Sequence, residues 1–297
     1  MTTATTTVVT KGRPIHPVNR VGALGPKFSY SDYVGRSIAA EVTLYPTFES
    51  LLKALDNNEE THAVIPFENT TVGGVEGLNA LLQRQSSTQI VGEYRLPINH
   101  ALIAGKHIEK ITQVKTIMSH PQALAQCSNI IESQGWKKKV TASTSAAVNE
   151  AIHLPHAAAI GPINSISVGP AHILQKNVQD LPSNLTRFLL LKKIKKCRQA
   201  YPINWDRAYI FMSVVLGSHN SRTAVQDAIG VFSSYSVVMR SITAVPRGRK
   251  YSFFIEVYFS DKYDLLLKYL DQRESLRLYE VGRAALRELR PPLKNRG

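Results

Sequence analysis

The strongest constraint in the sequence is a regular alternation between short apolar runs and stretches with helical spacing, which fills the first two thirds of the chain. Apolar runs at 21–24, 42–45 and 63–66 have strand length, and the segments between them repeat apolar residues every three or four positions. The same pattern resumes after Pro97 and ends with the run Leu185–Leu191. Strands that alternate with helices predict an α/β protein whose largely parallel sheets are covered by helices.

The pattern divides into two lobes and a C-terminal unit. The chain leaves the first lobe near Tyr94–His100 and returns to it near Gln179–Asn184. A cleft between two α/β lobes is therefore expected, and such clefts commonly bind ligands. A charged segment that contains a proline, residues 192–206, is expected to be a linker. After it the predicted order becomes strand–helix–strand–strand–helix–strand (βαββαβ), which is the ferredoxin-like plan.

The expected organisation is therefore a tail at residues 1–20, a two-lobed domain at 21–192 and a ferredoxin-like domain at 207–297. The tail is rich in threonine, contains no acidic residue and is predicted to be disordered. Its composition also resembles a mitochondrial transit peptide, which is the alternative. Because charged, proline-containing linkers usually mark domain boundaries, we expect the part up to about Leu191 to work without the rest.

Composition narrows the functional classes. The net charge is +14, from 36 basic and 22 acidic residues. The basic residues form short, scattered clusters without a nucleic-acid-binding motif, so we expect attraction of small anions and no nucleic-acid partner. No apolar run approaches the roughly 20 residues that span a bilayer, so no membrane partner is expected. The two cysteines, Cys127 and Cys197, lie near no histidine cluster. They predict neither a disulfide scaffold nor a zinc site and fit the reducing cytoplasm.

Four segments place polar residues where predicted strands end, which is where α/β lobes bind ligands. In the first, Ser29 and Ser31 lie at a predicted helix N-terminus. Such a terminus favours a carboxylate, although plain N-capping explains serine there equally well. In the second, a strand runs into hydrogen-bonding side chains and then a Gly-Gly turn that lets backbone approach a ligand. Its polar run is Glu68-Asn69-Thr70-Thr71.

The third and fourth segments contain the residues with the most distinctive chemistry. Histidine is a residue type that serves as a general acid or base, which makes His120 a catalytic candidate, but its place before a proline at a helix start makes a structural contact just as common. Gln122, in the first helical turn, can point its amide into the cleft. Arg187 lies beside Thr186 in an otherwise apolar strand. Because an unpaired buried charge is very costly, Arg187 must pair either with an internal acid or with a substrate carboxylate.

Taken in this order, the four segments resemble the prephenate dehydratase family. The resemblance rests on Gly25-Pro26 with Tyr30-Ser31, Pro66-Phe67-Glu68-Asn69-Thr70, Ser119-His120-Pro121-Gln122 and Thr186-Arg187-Phe188. It covers about residues 21–281. It implies a two-lobed catalytic domain like that of periplasmic binding proteins, followed by an ACT-type ferredoxin-like domain, with no cofactor and no metal.

The resemblance also implies a carbon–oxygen lyase that removes water and carbon dioxide from prephenate, giving phenylpyruvate in phenylalanine biosynthesis. Thr186 would donate a hydrogen bond to the leaving hydroxyl, and Arg187 would anchor a carboxylate. Asn69 and Gln122 would orient the ring, while Glu68 would hold Arg187 or a donor in place. The remaining substrate-binding candidates are Ser29, Ser31, Thr70, Thr71, Ser119, His120 and Phe188.

The effector motifs of the ACT-type part are altered. The run Thr223-Ala224-Val225 stands where the family has Gly-Ala-Leu, and Thr243-Ala244-Val245-Pro246 replaces Glu-Ser-Arg-Pro. Because a β-branched residue at a glycine position obstructs a ligand packed against backbone, we expect a weak or altered response to L-phenylalanine. A homodimer or tetramer is expected. Two alternatives remain open: arogenate dehydratase, and a non-enzymatic two-lobed ligand sensor.

Overall fold

The computed structural model describes residues 18–84, 88–167, 169–194, 205–214, 224–247, 250–272 and 276–290. Within these ranges the chain forms an α/β fold with two mixed sheets, one of 11 strands and one of five. None of the helices in the described ranges is both long enough and apolar enough to cross a membrane.

The first sheet starts with strands and helices that alternate as predicted. Its N-terminal elements are β1 (Val18–Leu24), α1 (Tyr30–Ile38), β2 (Ala39–Tyr45), α2 (Phe48–Asp56), β3 (His62–Asn69), β4 (Gly73–Gly74), α3 (Leu78–Arg84) and β5 (Thr88–Pro97). β1 lies between β2 and β3 and is parallel to both. The prediction of a disordered tail at 1–20 is wrong for its last three residues, because 18–20 pair with β2. Residues 1–17 lie outside the described ranges.

The second sheet is formed by one continuous stretch of chain. Its elements are β6 (His100–Gly105), β7 (Thr116–Ser119), α4 (Pro121–Ala125), α5 (Ser128–Gln134), β8 (Lys137–Val140), α6 (Thr144–Ala151), β9 (Ala157–Pro162) and β10 (Ala171–Lys176). The strand order is β10-β6-β9-β7-β8. The sequence predicts one helix over Gln122–Glu132, whereas the structure has two. They are separated because Cys127 has φ −127° and ψ 30°, which is outside the helical region.

Two connections join the sheets. The chain passes from β5 to β6 at 98–99, and it returns after β10 to β11 (Leu185–Lys193), which lies between β3 and β5 and is antiparallel to both. These are the positions at which the sequence indicates the crossings. β11 completes the first sheet after the second sheet is finished. The two sheets are therefore joined by two stretches of chain, and a cleft lies between them.

The C-terminal unit has the predicted βαββαβ order. Its elements are β12 (Arg207–Val214), α7 (Ala224–Ser234), β13 (Met239–Arg247), β14 (Lys250–Tyr258), α8 (Tyr263–Asp271) and β15 (Leu276–Ala284), followed by a short strand β16 (Leu286–Glu288). The strand order is β13-β14-β12-β15. This sheet continues into the first one, because β15 and β16 both pair with β5 in parallel.

This junction depends on a close approach between the backbones of β15 and β5. Gly282 of β15 pairs with Ile90 of β5, and a Cβ placed on Gly282 would lie 2.1 Å from the carbonyl oxygen of Ile90. Any side chain at this position would push the two strands apart.

The two units also share a hydrophobic core. Buried residues of the first lobe, including Leu51, Ile65 and Phe67, form one cluster with Tyr209 and Phe254 of the C-terminal unit. A separate cluster lies between the C-terminal strands and the helices α7 and α8. The predicted linker at 192–206 falls mainly on residues outside the described ranges. At the N-terminal end of this segment, Lys193 still belongs to β11, and at its C-terminal end Trp205 is buried.

Candidate functional site

A cavity of about 730 Å³ lies in the cleft between the two sheets. Residues from both sheets line it, and most of them follow the end of a strand or begin a helix. The first sheet contributes Ser29, Tyr30, Ser31, Asn69, Thr186 and Phe188, and the second contributes His100, His120, Gln122, Gln126, Ser143 and Thr144. The structure therefore brings together most of the residues that the sequence predicts for the site.

The centre of the first-sheet wall is a hydrogen-bonded pair, Asn69 and Thr186. The two residues are register partners on β3 and β11, and Asn69 Nδ2 donates to Thr186 Oγ1 at 2.8 Å and to Asn184 Oδ1 at 2.8 Å. Asn69 Oδ1 accepts from the backbone N–H of Thr71 at 3.0 Å and from its hydroxyl at 2.5 Å. These donors fix the orientation of the amide. Thr186 therefore accepts from Asn69 and keeps its own hydroxyl proton for another partner.

Gln126 connects the second sheet to this pair. Its side-chain Nε2 donates to the hydroxyl of Thr71, and its Oε1 accepts from Asn184 Nδ2 at 3.0 Å and lies 3.0 Å from His100 Nε2. A chain of hydrogen bonds thus crosses the cleft from His100 to Asn69. Sequence reasoning missed Gln126 and His100, because nothing local distinguishes an amide at a helix end or a lone histidine at a strand start.

His100, which is buried, and Tyr30, which is half-buried, are titratable groups of the cleft. Because Gln126 Oε1 can only accept, Nε2 of His100 carries the proton and Nδ1 lies 3.5 Å from the Tyr30 hydroxyl. Burial lowers the pKa of His100 and outweighs the opposing effect of the hydrogen bond that His100 donates to Gln126. Burial raises the pKa of Tyr30 above its ordinary value. Both groups are therefore neutral near pH 7.

Two helix N-termini point into the cavity. Ser29 caps α1: its hydroxyl accepts from the N–H of Asp32 at 3.1 Å and donates to the Leu24 carbonyl at 3.1 Å. The capping role predicted as one alternative for Ser29 is confirmed. Ser31 is 8% exposed and lines the cavity. Across the cleft, Ser143 caps α6 by accepting from the N–H of Ala146 at 3.0 Å.

In the Ser-His-Pro-Gln segment, the serine stabilises the fold, and the histidine and glutamine line the cleft. His120 caps α4, since its Nδ1 accepts from the N–H of Gln122 at 3.3 Å, and both residues also line the cavity. Ser119 is fully buried and donates to the Ile160 carbonyl at 2.6 Å. The prediction that Ser119 binds substrate is therefore wrong, because its hydroxyl joins β7 to β9 instead.

The two threonines after Asn69 also differ from the prediction. Thr70 donates to the Ser183 carbonyl at 3.2 Å and accepts from the N–H of Leu185 at 3.0 Å. It holds the returning connection and is not among the residues that line the main cavity, so its predicted substrate contact is wrong. Thr71 orients Asn69 and borders an adjacent cavity of about 350 Å³.

Arg187 lies on the opposite face of β11 from Thr186 and Phe188, because side chains alternate along a strand. Its side chain is 3% exposed and pairs with three carboxylates: Glu68, Glu93 at 2.8 and 3.0 Å, and Glu256 at 2.6 Å. The internal partner that the sequence allowed is therefore present. The prediction that Arg187 anchors a substrate carboxylate is wrong, whereas the prediction that Glu68 holds Arg187 is confirmed.

Two of the carboxylates around Arg187, those of Glu68 and Glu93, remain ionised although burial opposes it. For Glu68, burial opposes ionisation, but hydrogen bonds and charge from Arg187 and Arg240 hold the pKa below its ordinary value. Glu93 behaves in the same way, with Arg187 and the hydroxyl of Tyr209 as its main partners. Glu256 and Arg240 belong to the C-terminal unit, so this network joins it to the wall of the cleft.

The cleft itself is poor in charge. Among the described residues that line the cavity, the charged side chains are Glu68 and Glu76, and none is lysine or arginine. Glu68 is neutralised by its arginine partners. An anion in the cavity would therefore be held by neutral donors and by the N-termini of α1 and α6. No group of His, Cys, Asp or Glu able to hold a metal ion occurs in the described part of the chain.

The predicted effector residues lie in the C-terminal unit. Thr223 falls outside the described residues, and Ala224 and Val225 begin α7. Thr243 is exposed on β13, an edge strand of the large sheet, and Pro246 lies three residues later on the same strand. The described residues place none of them in the cleft.

The family model and the relatives found by sequence agree on one family. The family model for prephenate dehydratase matches residues 21–196. A prephenate dehydratase of Lactococcus lactis subsp. lactis (strain IL1403) is 30% identical over 259 residues, which is 84% of this chain and 90% of that protein. A bifunctional chorismate mutase/prephenate dehydratase of Enterobacter agglomerans is 30% identical over 236 residues, 76% of this chain. The chain spans only 59% of the length of that relative.

A solved structure shows the same fold. The prephenate dehydratase of Arthrobacter aurescens, in complex with L-Phe, matches with a TM-score of 0.76 at 20% identity, over 90% of each chain. The similarity covers the C-terminal unit as well as the two lobes.

Proposed function

Since this chain belongs to the prephenate dehydratase family, we propose that it converts prephenate to phenylpyruvate. The observation that carries the proposal is the pair Asn69–Thr186 at the cleft, where the threonine hydroxyl keeps a proton to donate. The alternative of a ligand sensor has less support, because the family model and the relatives by sequence are those of prephenate dehydratases.

The reaction loses two groups from a six-membered ring. The bond from the ring to its carboxylate breaks, and the electrons of that bond move into the ring as carbon dioxide leaves. They expel the hydroxyl at the far side of the ring, which departs as water once it gains a proton. The ring becomes aromatic, so the protein has to position the substrate and assist the departing hydroxyl rather than supply a strong acid.

Thr186 is the proposed donor to the departing hydroxyl. A threonine is too weak an acid to transfer a proton on its own, so its contribution is a hydrogen bond that strengthens as negative charge develops on the leaving oxygen. Asn69 sets the direction of that hydrogen bond by occupying one of the two lone pairs of Thr186 Oγ1. Gln122, from the second sheet, is placed to orient the ring.

The two carboxylates of the substrate meet different surroundings. We assign the side-chain carboxylate to the N-terminus of α1 with Ser31, since free N–H groups there favour an anion. Apolar side chains such as Ile98 and Phe188 line the same cavity. A carboxylate beside them is poorly solvated, which favours its loss as neutral carbon dioxide.

The test is turnover by the full-length protein. Incubation with prephenate should produce phenylpyruvate and carbon dioxide in equal amounts, and the Thr186→Val variant serves as the matched control for contaminating activity. Arogenate should be assayed in parallel, because the same elimination would yield phenylalanine directly. If the folded protein turns over neither compound, the proposed function is wrong. Turnover of arogenate alone would assign the protein to the neighbouring activity.

We further propose that the C-terminal unit is an ACT-type regulatory domain within a homodimer or tetramer. Its βαββαβ order and exposed edge strand β13 support this, and the similar Arthrobacter aurescens structure is a complex with L-Phe. Because Thr243 and Thr223 replace a glutamate and a glycine of the family motifs, we expect weak inhibition by L-phenylalanine. Tight, cooperative inhibition in a steady-state assay would contradict this expectation.

A further inference from the structure

One arginine of the C-terminal unit, Arg240 on β13, reaches the network behind the cleft. Its guanidinium bridges two carboxylates: Nη2 donates to Glu68 at 2.7 Å, and Nη1 donates to Glu256 at 3.2 Å. We propose that Arg240 is a positioning residue for the reaction, which holds the end of β3 through Glu68 and thereby keeps Asn69 directed at Thr186. This inference rests on the proposed function for its kinetic test.

The register of the two central strands connects the network to the site. β3 and β11 pair Asn69 with Thr186 and, one position along, Glu68 with Arg187. Glu68 and Arg187 are therefore the chain neighbours of Asn69 and Thr186, with adjacent Cα atoms about 3.8 Å apart. Because successive side chains point to opposite faces, the ion pairs lie directly behind the hydrogen-bonded pair. A displacement of the Glu68 backbone therefore displaces Asn69 as well.

The balance of charge shows why Glu68 needs Arg240. Three carboxylates surround Arg187, and two of them are almost fully buried, Glu93 at 0% and Glu256 at 4% side-chain exposure. Glu68 is 28% exposed and is the one that can move into water. Without Arg240, Glu68 would share Arg187 with Glu93 and Glu256. Glu93 also has Arg95 at 3.5 Å, so the remaining repulsion would be relieved by Glu68, the most exposed of the three, turning outward. Arg240 supplies the second positive charge that keeps Glu68 in place.

The position of Arg240 separates this role from simple packing. Its side chain is 23% exposed, so it does not fill the core, and Glu256 retains hydrogen bonds from Arg187 and from the hydroxyl of Ser241 at 2.9 Å when Arg240 is absent. Loss of Arg240 would therefore release Glu68 specifically. The first-sheet wall of the cleft is then complete only when the C-terminal unit is packed against the first lobe.

Steady-state kinetics of the full-length protein test the proposal. Arg240→Gln should lower kcat between about 10- and 100-fold with little change in KM, because a small misplacement of a catalytic group impairs the reacting step. Arg240→Lys should be intermediate, since an ammonium pairs well with one carboxylate but does not bridge two. The control is Arg283→Gln. Arg283 is another arginine of the C-terminal unit that is paired with two carboxylates, Asp264 and Glu280, away from β3. It should keep the wild-type kcat.

A double substitution tests the route through Glu68. If Arg240 acts through Glu68, Arg240→Gln combined with Glu68→Gln should lower kcat no further than Glu68→Gln alone. Independent, multiplicative losses would overturn the proposed route. A wild-type kcat in a folded Arg240→Gln variant would overturn the proposal itself.

Hydrogen–deuterium exchange gives a readout that does not depend on activity. Arg240→Gln should speed amide exchange at 67–71, the end of β3, and leave β7 in the second sheet unchanged. Unchanged exchange at 67–71 would refute the positioning role. An inactive wild-type protein would refute the proposed function instead, and the exchange result would still decide whether Arg240 positions Glu68.

Discussion

At the scale of single residues, the hydroxyl of Thr186 carries the proposed chemistry, because Asn69 donates to its oxygen and leaves its proton free. Thr186→Val nearly preserves the shape and removes only this donor. We expect the activation barrier to rise by about 2–4 kcal/mol, seen as a lower kcat with little change in KM. Steady-state kinetics with prephenate measure this. Should a folded variant turn over at the wild-type rate, Thr186 is not the donor, and His120 on the opposite wall becomes the candidate.

Arg187 stabilises the fold, whereas the sequence suggested that it contacts the substrate. Arg187→Leu would leave Glu93 and Glu256 buried without their main cation. Removing one partner of a buried ion pair costs about 3–5 kcal/mol, so we expect a large loss of stability in urea unfolding. Lys139→Leu, at an exposed pair with Glu150, should change stability by about 1 kcal/mol or less. A stable Arg187→Leu variant with a raised KM would restore the anchoring role.

At the scale of elements, strands and helices that follow local periodicity were predictable. The alternation of the first lobe and the βαββαβ order both agree with the structure, since a period of 2 or 3.6 is set within a few residues. The prediction missed β5, β6 and β10, which carry no distinct period. It also joined α4 and α5 into one helix, because Cys127 continues the apolar stripe although its backbone is not helical.

The candidate site was predictable only where a motif marks a strand end. Asn69, Gln122 and Thr186 were found in this way. His100 and Gln126 were not, because their roles depend on how the two sheets pack across the cleft. The orientation of Arg187 could have been inferred, since alternation in β11 sends it to the face opposite Thr186. The joining of the C-terminal sheet to the first sheet could not have been inferred, because β15 and β5 are far apart in sequence.

The first residue of β3, His62, should make the stability of this strand depend on pH. Burial, aided by the charge of Lys192, lowers its pKa to about 4. The unfolded chain takes up a proton near pH 6.5, whereas the folded chain resists it. Stability should therefore fall as the pH drops from about 6.5 to about 4. The pKa values of Glu68 and Glu93 are held below their ordinary range, so their contribution is lost at still lower pH.

His62→Gln isolates this effect. The free energy of unfolding, measured in urea at several pH values, should decline less steeply between pH 6.5 and 4 than in the wild type. An identical slope in the two proteins would show that His62 does not titrate differently on folding.

At the scale of the whole molecule, the shared sheet and core change the expectation that the part up to Leu191 works alone. Removing everything after Lys193 would expose Phe67, strip β15 from β5 and deprive Arg187 of Glu256. We expect the truncated chain to be far less stable and inactive with prephenate. Thermal unfolding and turnover of the truncated and full-length chains compare the two. A folded, fully active truncation would show that the contacts between the units are dispensable.

The second sheet is built from one continuous stretch of chain and the first sheet is not, and this difference matters for synthesis on the ribosome. All strands of the second sheet lie between His100 and Lys176, so this lobe can form while the rest is still being made. The first lobe must wait for β11, and the free edge of β5 must wait longer still, for β15 and β16 near the end of the chain. An unpaired strand edge is a template for wrong pairing. A nascent chain that stalls after β11 would therefore expose β5, which makes translation pauses in the C-terminal third a source of aggregation.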